Sequence, residues 1–344
     1  MREIDTTKAV GHILCHDITQ IIKGEKKGPV FRKGHVVREE DIPVLLSVGK
    51  EHLFVWEKTE GILHENEGAE ILRDICKNEY MSESEIKEGK IELKAQIDGL
   101  LKIDRKKLLA VNSLGEMMIA ARHGDFPVKK GDKLAGMRII PLVIEEEKMN
   151  RAKEAAKGEP VFQILPYREK KVGIVTTGSE ISKGLIQDTF GSVIEEKLGD
   201  FPATVMGQVY PGDDKEKITE EILSFIEQGA DMVVCTGGMS VDPDDRTPGA
   251  IKDTGAEIIS YGAPVLPGAM LLVAYYKKNG TNIPIVGLPG CVMYAKRTIF
   301  DLVLPRIMAD DPIEREELAA LGEGGLCLNC DVCTFPNCGF GKGR

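Results

Sequence analysis

Residues 231–238 read Asp-Met-Val-Val-Cys-Thr-Gly-Gly, a continuous apolar run that leads directly into two glycines. Two further stretches repeat this pattern, Val172-Gly-Ile-Val-Thr-Thr-Gly at residues 172–178 and Ile283-Pro-Ile-Val-Gly-Leu-Pro-Gly at residues 283–290. Short apolar runs bounded by turn residues are typical of strands that are buried on both faces of a parallel sheet. The sequence therefore predicts three such strands, each followed by a loop that contains glycine.

Helical patterns separate these strands. Residues 213–226 have the apolar spacing of an amphipathic helix, residues 188–198 predict a second helix, and residues 292–308 predict the closing one. Residues 203–210 alternate as a further strand. This order predicts an α/β fold, with a doubly wound, mostly parallel sheet and helices on both faces. Ligands of such sheets bind beyond the carboxyl ends of the strands.

The chain divides by pattern into three regions. Residues 1–165 carry short β-like runs split by glycines and charged clusters, so we expect a smaller, mixed α+β N-terminal region that ends with a connecting helix over residues 145–158. Residues 166–309 form the α/β domain. Residues 310–344 are an acidic linker followed by a Cys-rich tail.

Composition excludes several classes of function. The chain has 344 residues, a formal net charge of −10 and only 5% aromatic residues. Proteins that bind nucleic acid need excess Lys and Arg or aromatic stacking platforms, so nucleic acid is not expected as a ligand. The N-terminus lacks the apolar core of a signal peptide, and the longest apolar run falls far short of the roughly 18 residues of a membrane span. We therefore expect a cytoplasmic protein without a membrane partner.

The three loops at the strand ends suggest an anion site. Glycines there allow backbone N–H groups to approach a ligand closely, and the N-terminus of a following helix attracts negative charge. The alternative is that these glycines only form tight turns. Because glycine-bearing loops follow three strands of one predicted sheet, the ligand hypothesis is favoured.

Carboxylates accompany these loops. Glu180, Asp188, Asp213 and Asp245 lie at or near the strand ends, where an anionic ligand would be repelled unless a cation such as Mg²⁺ bridged it to them. Asp188 and Asp213 also suit the start of a helix, which is the structural alternative. All six histidines lie in the first 123 residues, so histidine catalysis from within the α/β domain is excluded.

Residues 170–309 resemble the molybdopterin-binding domain shared by molybdopterin molybdenumtransferases and molybdopterin adenylyltransferases. The stretch Thr177-Gly-Ser-Glu is similar to the transferase's Thr-Gly-Asp-Glu loop, and Thr236-Gly-Gly matches the Thr-Gly-Gly core of both enzymes. Ser240 resembles the transferase, whereas Asp245 is closer to the adenylyltransferase. Pro267-Gly268 and Gly287-Leu-Pro-Gly resemble the last two motifs of the domain.

The resemblance implies a ligand and a set of roles. Molybdopterin is an anionic, phosphate-bearing pterin with a dithiolene, which suits glycine-rich loops and a cation. Asp245, Glu180 and Asp213 would be catalytic, and together with Asp188 would hold Mg²⁺. The residues that would contact the pterin are Thr177, Gly178, Asp188, Gly237, Gly238, Ser240, Pro267, Gly268, Pro289 and Gly290.

Two functional hypotheses follow from this resemblance. In the first, the protein is a transferase of molybdenum-cofactor biosynthesis that moves molybdate, or an adenylyl group, with Mg²⁺. In the second, it is a non-catalytic carrier or sensor that holds molybdopterin or the finished cofactor for a molybdoenzyme acceptor. The loop acids favour the first. The transferase's long Asp-Asn-Ser-Ala-Met-Asp-Gly-Tyr-Ala motif is absent here, which favours the second. In both cases the resemblance implies a homo-oligomer.

The C-terminal tail carries a separate metal-ligand signal. Cys327, Cys330, Cys333 and Cys338 are spaced Cys-x2-Cys-x2-Cys-x4-Cys. Four thiolates can hold one Zn²⁺ tetrahedrally, and the first three also match the start of a ferredoxin iron–sulfur run. Zinc and an iron–sulfur cluster are both open at this point. The alternative to a metal is a flexible thiol tail.

Overall fold

The computed structural model describes residues 2–22, 26–55, 60–185, 187–240 and 242–343. Its chain forms two compact units. The N-terminal unit comprises Met1–Lys94, Asp104–Arg122 and Lys133–Phe162, and the C-terminal unit comprises Ala95–Ile103, His123–Asp132 and Gln163–Arg344. The tail after residue 309 therefore belongs to the same unit as the α/β sheet, together with two short segments from the first 165 residues. The three-domain division stays a prediction.

The elements follow in chain order. The strands are β1 (Arg2–Asp5), β2 (Ile18–Ile22), β3 (Lys26–Phe31), β4 (His52–Val55), β5 (Ile62–His64), β6 (Met81–Glu83), β7 (Ile91–Ala95), β8 (Gly99–Ile103), β9 (Met117–Ala121), β10 (Phe126–Val128), β11 (Lys133–Ile139), β12 (Val143–Glu145), β13 (Phe162–Pro166), β14 (Lys170–Thr176), β15 (Ala203–Val209), β16 (Met232–Thr236), β17 (Glu257–Tyr261), β18 (Leu272–Lys278) and β19 (Thr281–Leu288). The helices are α1 (Ile42–Ser47), α2 (Glu65–Cys76), α3 (Arg105–Asn112), α4 (Glu146–Ala155), α5 (Ser179–Ser182), α6 (Phe190–Leu198), α7 (Lys215–Glu227), α8 (Thr247–Asp253), α9 (Phe300–Met308) and α10 (Arg315–Ala320).

The N-terminal unit combines small sheets with helices. Its largest sheet has the order β6-β7-β11-β9, and shorter pairs are β1-β4, β2-β3 and β5-β12. The connecting helix expected over residues 145–158 is present as α4, and it packs against α2 and α3. The part of this unit nearest the N-terminus has a small hydrophobic core, which includes Leu14, Ile18, Leu45 and Leu53.

The central sheet of the C-terminal unit has the order β15-β14-β16-β19-β18-β17. The pairs β15-β14, β14-β16 and β16-β19 are parallel, whereas β18 and β17 pair antiparallel at one edge. The predicted α/β class with parallel strands is thus confirmed, and the doubly wound description stays a prediction. The three parallel strands with glycine-bearing ends are neighbours, so their loops emerge at one edge of the sheet.

Alternate strand residues enter two different cores. Val233 and Cys235 pack in a cluster with Ile222 of α7 and Ile251 of α8. Met232 and Val234, which point the other way because side chains alternate along a strand, pack in a cluster that holds residues of α6 and α9. Every residue of β16 is buried, which explains why its sequence is a continuous apolar run.

The closing helix is shorter than predicted. The expected helix over residues 292–308 is wrong in its first half, because Gly290–Met293 form a 3₁₀ turn and α9 begins at Phe300. Thr298 and Asp301 explain the late start. The Asp301 carboxylate accepts the N–H of Thr298 at 2.8 Å, and the Thr298 hydroxyl accepts the N–H of Phe300 at 3.2 Å. Such reciprocal bonds satisfy the free N–H groups of a first helical turn.

The tail packs onto the C-terminal unit. Leu318 of α10 and Phe340 are buried in the same cluster as α9, and Phe335 packs against it. Gly341 lies so close to Leu302 that an added Cβ would be 2.3 Å from Leu302 Cδ2. Phe335, Cys338 and Phe340 thus contact the core, whereas residues 328–334 are exposed, and the alternative of a flexible thiol tail stays open. None of the helices in the described ranges is long and apolar enough to cross a membrane.

Candidate functional site

Threonines tie together the loops that follow β14 and β16. Thr177 donates its backbone N–H to the carbonyl of Thr236 at 2.8 Å. The Thr177 hydroxyl lies 3.1 Å from the Thr247 hydroxyl. The Thr247 hydroxyl in turn donates to the carbonyl oxygen of Gly237 at 2.8 Å. Thr177 and Thr247 are both buried. These bonds cross from one strand end to the next, so they hold the two glycine-bearing loops in one arrangement, which we call the threonine clasp.

The clasp requires the two glycines of the second loop. Gly237 has φ +80° and Gly238 has φ +53°, in the left-handed region that disfavours residues with a Cβ. A Cβ on Gly237 would lie 2.4 Å from the Thr177 carbonyl oxygen. A Cβ on Gly238 would lie 3.0 Å from the hydroxyl oxygens of Thr177 and Thr247. Both glycines therefore allow the loops to approach each other, whatever else they contact.

Asp188 caps a helix and anchors a polar network. Its carboxylate accepts the N–H groups of Phe190 at 2.9 Å and Gly191 at 3.1 Å, at the start of α6. Gln208 of β15 donates 2.7 Å hydrogen bonds both to Asp188 and to the hydroxyl of Thr176. The capping function anticipated for Asp188 is thus present, and its role as a ligand to the pterin or a metal stays a prediction.

Asp213 joins the loop after β15 to the loop after β14. Its Oδ2 accepts the backbone N–H of Ser179 at 2.8 Å and the Ser179 hydroxyl at 2.6 Å. Asp214, and not Asp213, caps α7 by accepting the N–H of Lys217 at 3.2 Å. Glu180 follows Ser179 in the short helix α5 and is exposed. The pair Ser179–Asp213 therefore fixes the backbone that presents Glu180 to solvent.

Asp245 lies in the loop between β16 and α8, close to a tyrosine. Its carboxylate accepts the N–H of Asp242 at 3.0 Å, which closes a tight turn. Partial burial and, after it, the negative charge of Asp245 raise the pKa of Tyr261. The Tyr261 hydroxyl lies 2.8 Å from the carbonyl oxygen of Met239 and 3.1 Å from that of Ser240. Tyr261 thus connects the antiparallel edge strand β17 to the glycine-bearing loop.

The two Pro-Gly motifs differ in their surroundings. Gly268 has φ +121° and is buried against Ile299, where an added Cβ would lie 2.5 Å from Cγ2. Pro267 accepts the N–H of Ile299 at 3.1 Å through its carbonyl. Pro289 precedes the 3₁₀ turn that Gly290 begins. Gly290 is exposed, and an added Cβ there would meet nothing within 4 Å. Of the two glycines, Gly290 is therefore the one open to a ligand.

The structure brings only some of the predicted residues together. Hydrogen bonds link Thr177 with Gly237 through Thr247, and they link Ser179 with Asp213. Within the described part of the chain, no three Asp, Glu, His or Cys side chains lie close enough together to share a metal ion. The four predicted acids are therefore not gathered into a closed cation cage. Their catalytic and metal-binding roles stay predictions.

Three residues at this edge of the sheet were not predicted from the sequence. Gln208 and Tyr210 both hydrogen-bond to the carboxylate of Asp188, and the Tyr210 hydroxyl lies 3.4 Å from it. Tyr261 hydrogen-bonds to the Gly237–Ser240 loop. Partial burial and the charge of Asp188 raise the pKa of Tyr210. Gln208 could have been found from the sequence, because it is a polar residue near the end of the predicted strand at 203–210. Tyr261 lies far from the loop in sequence, and no local pattern marks it.

The four tail cysteines share one cavity. Cys327, Cys330, Cys333 and Cys338 line a cavity of about 210 Å³ in the C-terminal unit. Cys330 and Cys333 are exposed, whereas Cys327 and Cys338 are half-buried against the core. Metal binding by these cysteines, predicted from their spacing, stays a prediction.

Comparison with known proteins confirms the predicted resemblance for the α/β region. Residues 173–309 match the family described as "Probable molybdopterin binding domain". The α/β region therefore resembles this family over those residues. Residues 3–57 match a family described as a domain of unknown function.

Similar proteins cover parts of the chain. A molybdenum cofactor biosynthesis bifunctional protein of Synechococcus elongatus is 32% identical over 83 residues, which are 24% of this chain and 26% of that protein. The tungsten cofactor synthesizing protein MoaB of Pyrococcus furiosus is similar over 36% of this chain and 84% of its own, with 22% identity and a TM-score of 0.32. The molybdopterin biosynthesis enzyme MoaB of Thermus thermophilus is similar over 40% and 91%, with 23% identity and a TM-score of 0.33. The chain spans about a quarter of the length of the curated relatives it matches.

Proposed function

We propose that the C-terminal unit binds molybdopterin at the loops after β14, β16 and β19, and that the chain transfers molybdate, or an adenylyl group, with Mg²⁺. One observation supports this most directly. The threonine clasp holds two glycine-bearing strand ends together at the edge of a sheet whose residues match the molybdopterin-binding family. Ligands of open α/β sheets bind at this edge.

The loops would hold the phosphate-bearing end of the ligand through their backbone. Gly178 carries no side chain in the first loop, and Gly237 and Gly238 let the second loop pack closely against it. Gly290 begins a turn with open space beside it, so the ligand can approach the backbone there. Thr177 supports these loops from the buried side. Ser240, exposed beyond the second loop, would contact the pterin directly.

The acids would hold Mg²⁺ together with the ligand. Mg²⁺ in phosphate sites is usually bound by one or two carboxylates, the substrate phosphate and water. Exposed Glu180 and half-buried Asp245 can supply these carboxylates. Asp213 has one carboxylate oxygen engaged by Ser179, so its part would be to position that loop and to add its negative charge. When bound, Mg²⁺ offsets the negative charges of the phosphate and the acids.

The second candidate is a carrier or sensor that binds molybdopterin without turnover. It is favoured by the missing Asp-Asn-Ser-Ala-Met-Asp-Gly-Tyr-Ala motif and by Asp188 and Asp213, whose carboxylates already accept hydrogen bonds from the protein. Delivery to a molybdoenzyme, self-association into an oligomer and a cytoplasmic location are proposals of the same kind. We also propose that the tail cysteines bind a metal, as zinc or as an iron–sulfur cluster, independently of the pterin.

The test compares neighbouring acids in one loop of the full chain. Molybdopterin binding is measured by titration calorimetry, and cofactor formation is measured with adenylylated molybdopterin, molybdate and Mg²⁺. Asp245→Ala is expected to abolish cofactor formation, and exposed Asp244→Ala is expected to retain it. Binding by the native protein without any turnover would support the carrier instead. Failure of the native protein to bind molybdopterin would refute both candidates.

A further inference from the structure

The cavity beside the tail is built from sulfur and apolar groups. Besides the four cysteines, its walls include Leu326, Leu328, Phe335 and Phe340. Phe340 is buried in the core cluster, and Phe335, Cys327 and Cys338 pack against that cluster. One wall of the cavity is thus the packed interior of the C-terminal unit, and the other is the loop that carries Cys330 and Cys333.

The cavity is larger than a single metal ion requires. A structural zinc site is closed, with four sulfurs about 2.3 Å from one ion, and it leaves no cavity between them. Together with other residues, the four cysteines line a cavity of about 210 Å³, whereas one water molecule needs about 10–15 Å³ of such space. The cavity therefore has room for a group of several atoms beside the four thiols.

Cationic groups stand at the rim of the cavity. Arg297 lies 5.0 Å above the ring of Phe335, and it is ion-paired with Asp301 at 2.8 Å. Lys296 donates to the carbonyl oxygens of Asp331 at 3.0 Å and Cys330 at 3.4 Å. A cluster bound by four thiolates is anionic, so the positive charge of Lys296 beside the loop favours it.

Backbone bonds hold the first cysteine in place. Leu266 accepts the N–H of Cys327 at 2.8 Å, and the N–H of Leu266 binds the carbonyl of Gly325 at 2.8 Å. This parallel bridge joins the tail to the residue before Pro267. Cys327 is therefore positioned by the α/β unit itself, and the spacing Cys-x2-Cys-x2-Cys then brings two further thiols around the cavity, as in ferredoxin runs.

We propose that Cys327, Cys330, Cys333 and Cys338 bind one [4Fe–4S] cluster. Two ferrous and two ferric ions combine with four sulfide ions, and each cysteine loses its thiol proton to solvent as its sulfur binds one iron. The site needs no molybdopterin, so its failure would leave the proposed pterin function untouched, and the reverse also holds.

The test uses the full chain, purified without oxygen and incubated with equal amounts of ferrous and ferric ions and with sulfide. The expected result is about four iron and four sulfide ions per chain, with broad visible absorbance and a paramagnetic signal after one-electron reduction by dithionite. Cys330→Ser and Cys333→Ser change exposed residues, so folding should persist while most of the iron is lost. The matched control is Cys291→Ser, a half-buried cysteine outside the cavity, which should keep the iron.

Three results would overturn the proposal. One is a chain that binds neither iron nor sulfide under these conditions. Another is a single zinc ion per chain that iron and sulfide do not replace. The third is iron retained equally in the Cys330→Ser, Cys333→Ser and native proteins, since the metal would then lie elsewhere.

Discussion

Replacing Gly237 by alanine should test the threonine clasp directly. Gly237 has φ +80°, and a Cβ would lie 2.4 Å from the carbonyl oxygen and 2.8 Å from the hydroxyl oxygen of Thr177. A left-handed conformation costs a residue with a Cβ about 1–2 kcal/mol, and overpacking of this kind costs about 1–3 kcal/mol. We therefore expect Gly237→Ala to lower the free energy of unfolding by about 3 kcal/mol.

Thermal unfolding of the full chain, followed by circular dichroism and calorimetry, measures this loss. For a unit of this size, about 3 kcal/mol corresponds to a fall in Tm of roughly 6–12 °C. The matched control is Gly290→Ala. It lies at the third loop without a positive φ and without a neighbour within 4 Å, so its Tm should change little. If Gly290→Ala weakens molybdopterin binding at unchanged Tm, the loss reports the ligand rather than the fold.

An unchanged Tm for Gly237→Ala would refute the reasoning. The backbone would then relax without breaking the hydrogen bonds between Thr177, Thr236 and Thr247, and the close approach of the two loops would not depend on glycine.

Two further predictions concern groups that the structure placed near the core or the loops. Asp245→Asn should lower the pKa of Tyr261, because loss of the nearby negative charge makes the tyrosinate easier to form. Ultraviolet titration of the Tyr261 hydroxyl measures this pKa. An unchanged pKa would mean that burial alone causes the shift. Phe340→Ala should lower the free energy of unfolding by about 3–5 kcal/mol, because the side chain is buried in the core of the C-terminal unit. Val332→Ala, at an exposed position, should change it little. Chemical denaturation measures both variants, and equal effects would place Phe340 outside the core.

Local patterns were sufficient for much of the central sheet. The apolar runs at 172–177, 231–236 and 283–288 predicted three strands of one sheet, and residues 213–226 and 188–198 predicted α7 and α6 closely. The start of the closing helix was predicted wrongly, because Thr298 and Asp301 were not recognised as the residues that cap the start of α9. The antiparallel strands β17 and β18 were also missed, although β18 and β19 form a hairpin whose turn residues Asn279 and Gly280 were a local signal.

Hydrophobic periodicity and residue type therefore determined which segments are strands, which loops carry glycines and acids, and how the cysteines are spaced. These are properties of neighbouring residues, and neighbours in sequence impose them. Only the tertiary structure decided that Thr177 meets Thr247, that Tyr261 lies beside Asp245, and that Phe340 closes the core. It likewise decided that the four tail cysteines line one cavity. Such contacts join residues far apart in the chain, and they depend on how sheets and helices pack, which local sequence does not encode.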